Sequence, residues 1–98
     1  MYEFKGFIIR DEMMDGLIRY IEHGIPPGHF LSAVLTNDLS EAVSRADEQN
    51  LANLPAYIGF LYNEAPSGCW GSPKHFNEWM DARAQERSEA GRRLVGAE

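Results

Sequence analysis

Five prolines constrain this chain more than any other feature, because after its first ten residues the sequence is written in helical periodicity. Proline suits the first turn of a helix but costs about 3 kcal/mol deeper inside one. Pro26-Pro27-Gly28 therefore stops one helix and opens the next, Pro55 and Pro73 suit first turns, and Pro66 falls in a loop. A single all-α domain over residues 1–98 follows. The prediction is a compact bundle of four to five short helices, with an extended N-terminal arm at 1–10 and a flexible C-terminal tail at 91–98.

Each helix has its own signals. Met13, Met14, Leu17, Ile18 and Ile21 form an apolar stripe opened by Asp11 and closed by Gly24. A second helix, from Pro27 to about Leu35, carries Phe30, Leu31, Val34 and Leu35 and ends at Asn37. Asp38, with Glu41 three residues on, reads as a capping box for a third helix burying Leu39, Ala42, Val43 and Ala46. A break or kink is expected between Asn50 and Asn53. The next helix runs to Asn63, with Leu54, Ile58 and Leu61 inward and Tyr57 and Phe60 flanking. Ser72-Pro73 starts the last, which presents Phe76, Trp79, Met80 and Arg83 on one face. In the arm, Tyr2, Phe4 and Ile8 alternate against Phe7 and Ile9. That is extended structure with no obvious partner strand, so a sheet is not expected.

Charge limits the partners. Nine acids lie between Asp11 and Glu64 against Arg19 and Arg45 alone. Such a body repels phosphate backbones, which argues against direct nucleic-acid binding, and it suits a basic partner protein. No apolar run approaches the ~20 residues that span a bilayer. The N-terminus lacks the basic-then-apolar order of a signal peptide. A lone cysteine, Cys69, points to a reducing cytoplasm. A chain this small often gains further burial by self-association, so a homo-oligomer is expected.

Both tryptophans, two prolines and the cysteine crowd into the nineteen residues from Leu61 to Trp79. This run is either a clasp that closes the core or a binding surface. Ser72, Lys74 and His75 at a helix start could cradle a phosphate or carboxylate through free N–H groups and cationic donors. Ordinary capping by Ser72 explains the same residues. Tyr57, Tyr62, Trp70 and Trp79 suit base stacking or, equally, packing; an exposed Trp70 would favour binding. Asn37, Arg45 and Asn50 form a polar group near the helix junctions, able to contact a ligand or to tie helices together. His23, His29, His75 and Cys69 lack the close spacing of metal ligands, and no nucleophile–base grouping stands out. No cofactor, metal or catalytic residue is assigned.

The stretch Gly24-Ile25-Pro26-Pro27-Gly28-His29-Phe30-Leu31, with Ala33-Val34-Leu35-Thr36-Asn37-Asp38-Leu39, resembles a widespread group of short proteins encoded by tailed phages and prophages. So do Arg45-Ala46-Asp47 with Asn50, and Tyr62-Asn63-Glu64-Ala65-Pro66 leading to Trp70-Gly71-Ser72-Pro73 and Trp79. The resemblance implies expression inside an infected bacterium, in the host cytoplasm. It marks Asn37, Asp38, Arg45, Asp47, Asn50, Tyr62, Asn63, Trp70, Ser72 and Trp79 as hallmark positions. Small phage accessory proteins are often non-enzymatic. The expected roles are sequestration of a small phosphate-bearing molecule, such as a nucleotide immune signal, or inhibition of a host defence or nucleic-acid-binding protein through the acidic helices. The ligand-binding set is then Asn37, Arg45, Asn50, Tyr62, Trp70, Ser72, Lys74 and His75.

Overall fold

The computed structural model describes residues 1–96, with side chains described through residue 90. It is all-α, with six helices among the described residues: α1 Asp11–His23, α2 His29–Leu35, α3 Leu39–Arg45, α4 Glu48–Ala52, α5 Leu54–Asn63 and α6 Pro73–Gly96. A single 3-10 turn, Ser67–Cys69, sits between α5 and α6. α6 is continuous through 91–96, the stretch expected as a tail, while residues 97–98 lie outside the described residues. No described helix is long and apolar enough to cross a membrane.

The arm is extended but pairs with itself, so the expectation of no sheet is corrected. β1 (Tyr2–Phe4) and β2 (Phe7–Ile9) form an antiparallel hairpin with Tyr2 opposite Ile9 and Phe4 opposite Phe7. Its two-residue turn needs positive φ at both positions, which Lys5 (51°) and Gly6 (85°) adopt. Direct pairing puts Tyr2, Phe4, Phe7 and Ile9 on one face and Ile8 on the other. The inward face docks on α5: the Phe4 ring lies on Gly59, and Tyr2 meets Phe60 edge-on at 5.3 Å.

Caps act where the sequence placed them. Gly24 closes α1 in the left-handed region at φ 68°, its N–H donating to the Tyr20 carbonyl. Asn37, at φ 61°, turns the chain out of α2. Its N–H donates to Val34 and that of Asp38 to Ala33, the paired bonds of a Schellman ending. Asp38 then caps α3 by accepting from the Glu41 N–H. Glu41 does not complete the box, because its carboxylate is taken by Arg45 at 2.6 Å. The chain also breaks at Ala46-Asp47, a boundary the periodicity hid, where Asp47 caps the short α4.

Three faces turn out differently from the expected ones. On α1, Tyr20 is buried with Leu17, and Ile18 is exposed. On α3 only Ala42 is fully buried, and Leu39 and Val43 face water. On α5, Tyr57 and Phe60 point inward with Leu61, whereas Ile58 is outside. α5 is apolar nearly all round, so periodicity alone could not orient it. Hydrogen bonding does: the Tyr57 hydroxyl donates to Asn50 Oδ1 at 2.6 Å.

The Leu61–Trp79 run is clasped at its middle and at its C-terminal end. The Gly71 N–H donates to the Leu35 carbonyl, and the Trp79 indole N–H donates to the Ile21 carbonyl at 3.0 Å. Buried Tyr20 stacks on Phe76 and donates its hydroxyl to the Cys69 carbonyl at 2.7 Å. Tyr20→Phe is therefore expected to lower stability by about 1–2 kcal/mol, since a buried carbonyl loses its donor. Urea unfolding checks this; an unchanged midpoint would show that the bond contributes nothing.

Candidate functional site

The run leaves one recess on its outer side. Tyr62, Trp70 and His75, with Leu61, Ala65, Ser67 and Gly71, line a concavity of about 530 Å3. Binding sites for small molecules usually occupy ~300–1,000 Å3. Tyr62 projects from the last turn of α5 and is 79% exposed, so it does not join helices. Trp70 is half-buried and packs against the core, so it serves as clasp and as wall.

His75 is held by the loop it follows. Its N–H donates to Ser72 Oγ, the expected cap, and its Nδ1 lies 3.0 Å from the Trp70 carbonyl. A carbonyl only accepts, so Nδ1 carries the hydrogen and Nε2 of the neutral ring is an acceptor. His75 can therefore donate to a phosphate through Nε2 only when the ring is protonated. Lys74 does not line the recess; its side chain extends into solvent, 3.9 Å from Glu78. Cys69 is fully buried beneath, and burial pushes its thiol up to about 11, which suppresses the thiolate a nucleophile needs.

The remaining predicted ligand residues are elsewhere. Asn37 borders a small recess between α2, α3 and α5. Arg45 is committed to Glu41 on the exposed side of α3. Asn50 is buried and belongs to a groove of about 470 Å3 lined also by Arg10, Met13, Arg19, Pro27 and Phe30. Of the eight residues, only Tyr62, Trp70 and His75 line one recess, with Ser72 and Lys74 adjoining in sequence.

Arg10 is the polar hub that the sequence did not reveal. Its guanidinium donates to Asp47 Oδ2 at 2.9 Å, Gln49 Oε1 at 3.1 Å, and both Glu12 Oε1 and Asn50 Oδ1 at 3.3 Å. The Ile8 N–H donates to Asn53 Oδ1, so the hairpin end is tied to both ends of α4. Asp47 and Asn50 thus have a structural part, since Asp47 also accepts from the Asn50 N–H and Asn50 from Tyr57. An arginine followed by acids dozens of residues away has no local signal.

The hub sets an acid limit. The Arg10 hydrogen bond, then the Asn50 N–H, holds the Asp47 carboxyl below its ordinary value. A carboxylate whose folded value is depressed adds stability above its unfolded value, near pH 4, and loses it as pH falls through the folded value. Stability should fall as pH drops below about 4, and Arg10→Met should flatten that dependence. At the other end, burial raises Tyr20 above the ordinary tyrosine range and Tyr57 up to about 12. Their buried neutral forms stabilise the fold below pH ~10, and that contribution declines as pH rises further. Chemical denaturation across pH checks both limbs; an acid limb identical in wild type and Arg10→Met would refute the first.

Fold and site together define a small all-α protein with a docked two-stranded hairpin, one aromatic recess and one arginine-centred polar hub. Comparison with protein-family models, with curated proteins and with solved structures returns no match.

Proposed function

We propose that this chain is a phage-encoded, non-enzymatic accessory protein of the host bacterial cytoplasm. It sequesters a small phosphate-bearing molecule, such as a nucleotide immune signal, in the Tyr62–Trp70–His75 recess. The observation that carries this is Tyr62, a large ring 79% exposed at the edge of a concavity whose other aromatic wall is Trp70. A base stacked there would cover both rings, a contact worth about 1–3 kcal/mol per base. The positive end of the α6 dipole lies beside the recess, Lys74 adds a positive charge outside it, 3.9 Å from Glu78, and protonated His75 adds a donor through Nε2. The buried Cys69 thiol and the tethered His75 ring favour binding over catalysis.

Thermal-shift screening against cyclic dinucleotides and NAD-derived nucleotides tests this. At a hundredfold excess over Kd a ligand adds about 2.7 kcal/mol, or roughly 10–20 °C in a domain of this size. Tyr62→Ala should leave the ligand-free melting temperature near that of wild type and weaken binding about tenfold or more. The idea fails if no nucleotide raises the melting temperature and Lys74→Ala is silent in defence assays.

A second role, capture of a basic host protein, is supported by the uneven charge. Between Arg19 and Lys74 the chain carries six acids and one arginine. Pull-down from host lysate should then give a partner whose recovery falls steeply with salt. Recovery of no partner at low salt would end this reading.

A further inference from the structure

Two helices expose apolar side chains on a common face. Leu39 of α3 is 67% exposed and Val43, one turn on, 44%. Ile58 of α5 is 42% exposed and lines the same shallow recess as Leu39, with Ala42 and Leu54 and with Asp38 at the edge. At about 40 Å3 the recess is far too small for a nucleotide and suits the tip of one apolar side chain. Neither large-ligand binding nor the core accounts for this strip.

Charge selects the occupant. Arg45, the single arginine or lysine on α2–α5, is bound to Glu41 at 2.6 Å, and Asp47 is bound to Arg10. Asp38, which lines the recess, has no ion-pair partner among the described residues. A second copy would bring its own Asp38 against this one, with no free cation on α2–α5 to offset it, so self-association through this face is opposed by like charge.

We propose that the Leu39–Val43–Ile58 strip is the docking site for a cationic amphipathic helix of another protein. The helix seats one leucine- or isoleucine-sized anchor in the recess and sets a lysine or arginine against Asp38. This rests on partner capture, the second role above, and gives it a place and a chemistry.

Fluorescence anisotropy tests it with a labelled synthetic helix bearing leucines at i, i+3, i+4 and i+7 and lysines on both flanks, and with the same helix carrying glutamates instead. Wild type should bind the lysine helix and not the glutamate one, more weakly as salt rises. Leu39→Ser/Ile58→Ser should lose about tenfold or more in affinity. Asp38→Asn, which keeps the α3 cap, should weaken binding and reduce its salt dependence. Equal binding by wild type and the double serine variant overturns the assigned site. No binding of the lysine helix at low salt overturns the assigned chemistry, as does a wild-type dimer that Leu39→Ser dissociates. Lysate pull-down at low salt judges partner capture separately, because it assumes neither the strip nor the helix.

Discussion

Gly24→Ala is expected to destabilise this protein by about 2–4 kcal/mol, lowering the melting temperature by roughly 10–25 °C. Two effects add. Gly24 sits at φ 68°, where a residue with a Cβ costs about 1 kcal/mol relative to glycine. A Cβ would also lie 2.5 Å from Arg83 Cβ and 3.1 Å from the Met80 carbonyl oxygen. Neither obstacle is the far end of a flexible side chain, so α1 and α6 would have to separate. Separation would strain the Trp79–Ile21 bond that joins them. Calorimetry on the single variants and on Gly24→Ala/Arg83→Gly decides the cause. The clash predicts that the double variant recovers part of the loss beyond additivity. Strictly additive losses would leave only the backbone term.

Gly59→Ala should cost about 2 kcal/mol, although alanine in the middle of a helix normally gains about 1 kcal/mol over glycine. The added Cβ would fall within 2.7 Å of three atoms of the Phe4 ring, including its attachment carbon. The ring cannot swing aside while β1 stays docked, so the hairpin must lift from α5. In a Phe4→Ala background the same space is open, and Gly59→Ala should then stabilise. That reversal of sign is the decisive measurement, read by urea unfolding of the four variants. The same sign in both backgrounds would mean that Phe4 is not the obstacle.

Both results turn on contacts between elements distant in sequence, for which the chain carries no local signal. Caps were legible because they are local: Gly24, Asn37, Asp38 and Ser72 end or start helices through bonds spanning a few residues. The last helix face was legible because Phe76, Trp79 and Met80 stand out from polar neighbours. The arm was half legible. Its alternation was plain, but its partner was itself, across a turn whose lysine gives little warning of a positive φ. Of the ligand set, Tyr62, Trp70 and His75 converge, whereas Asn37, Arg45 and Asn50 were grouped by polarity and are held apart by α3 and the Arg10 hub.

Proline placement, helix caps and helical periodicity were enough to define an all-α chain cut into short segments, because each is a property of one turn of backbone. Which apolar residues face water, where Arg10 finds its partners and how the Leu61–Trp79 run divides between clasp and recess were decided by tertiary packing. Tyr57 goes inside and Ile58 outside because a buried hydroxyl needs the Asn50 acceptor that Arg10 and Asp47 hold in place. Trp79 is a clasp because its indole N–H reaches the Ile21 carbonyl, while Tyr62, with no such partner, faces the solvent at the edge of the recess.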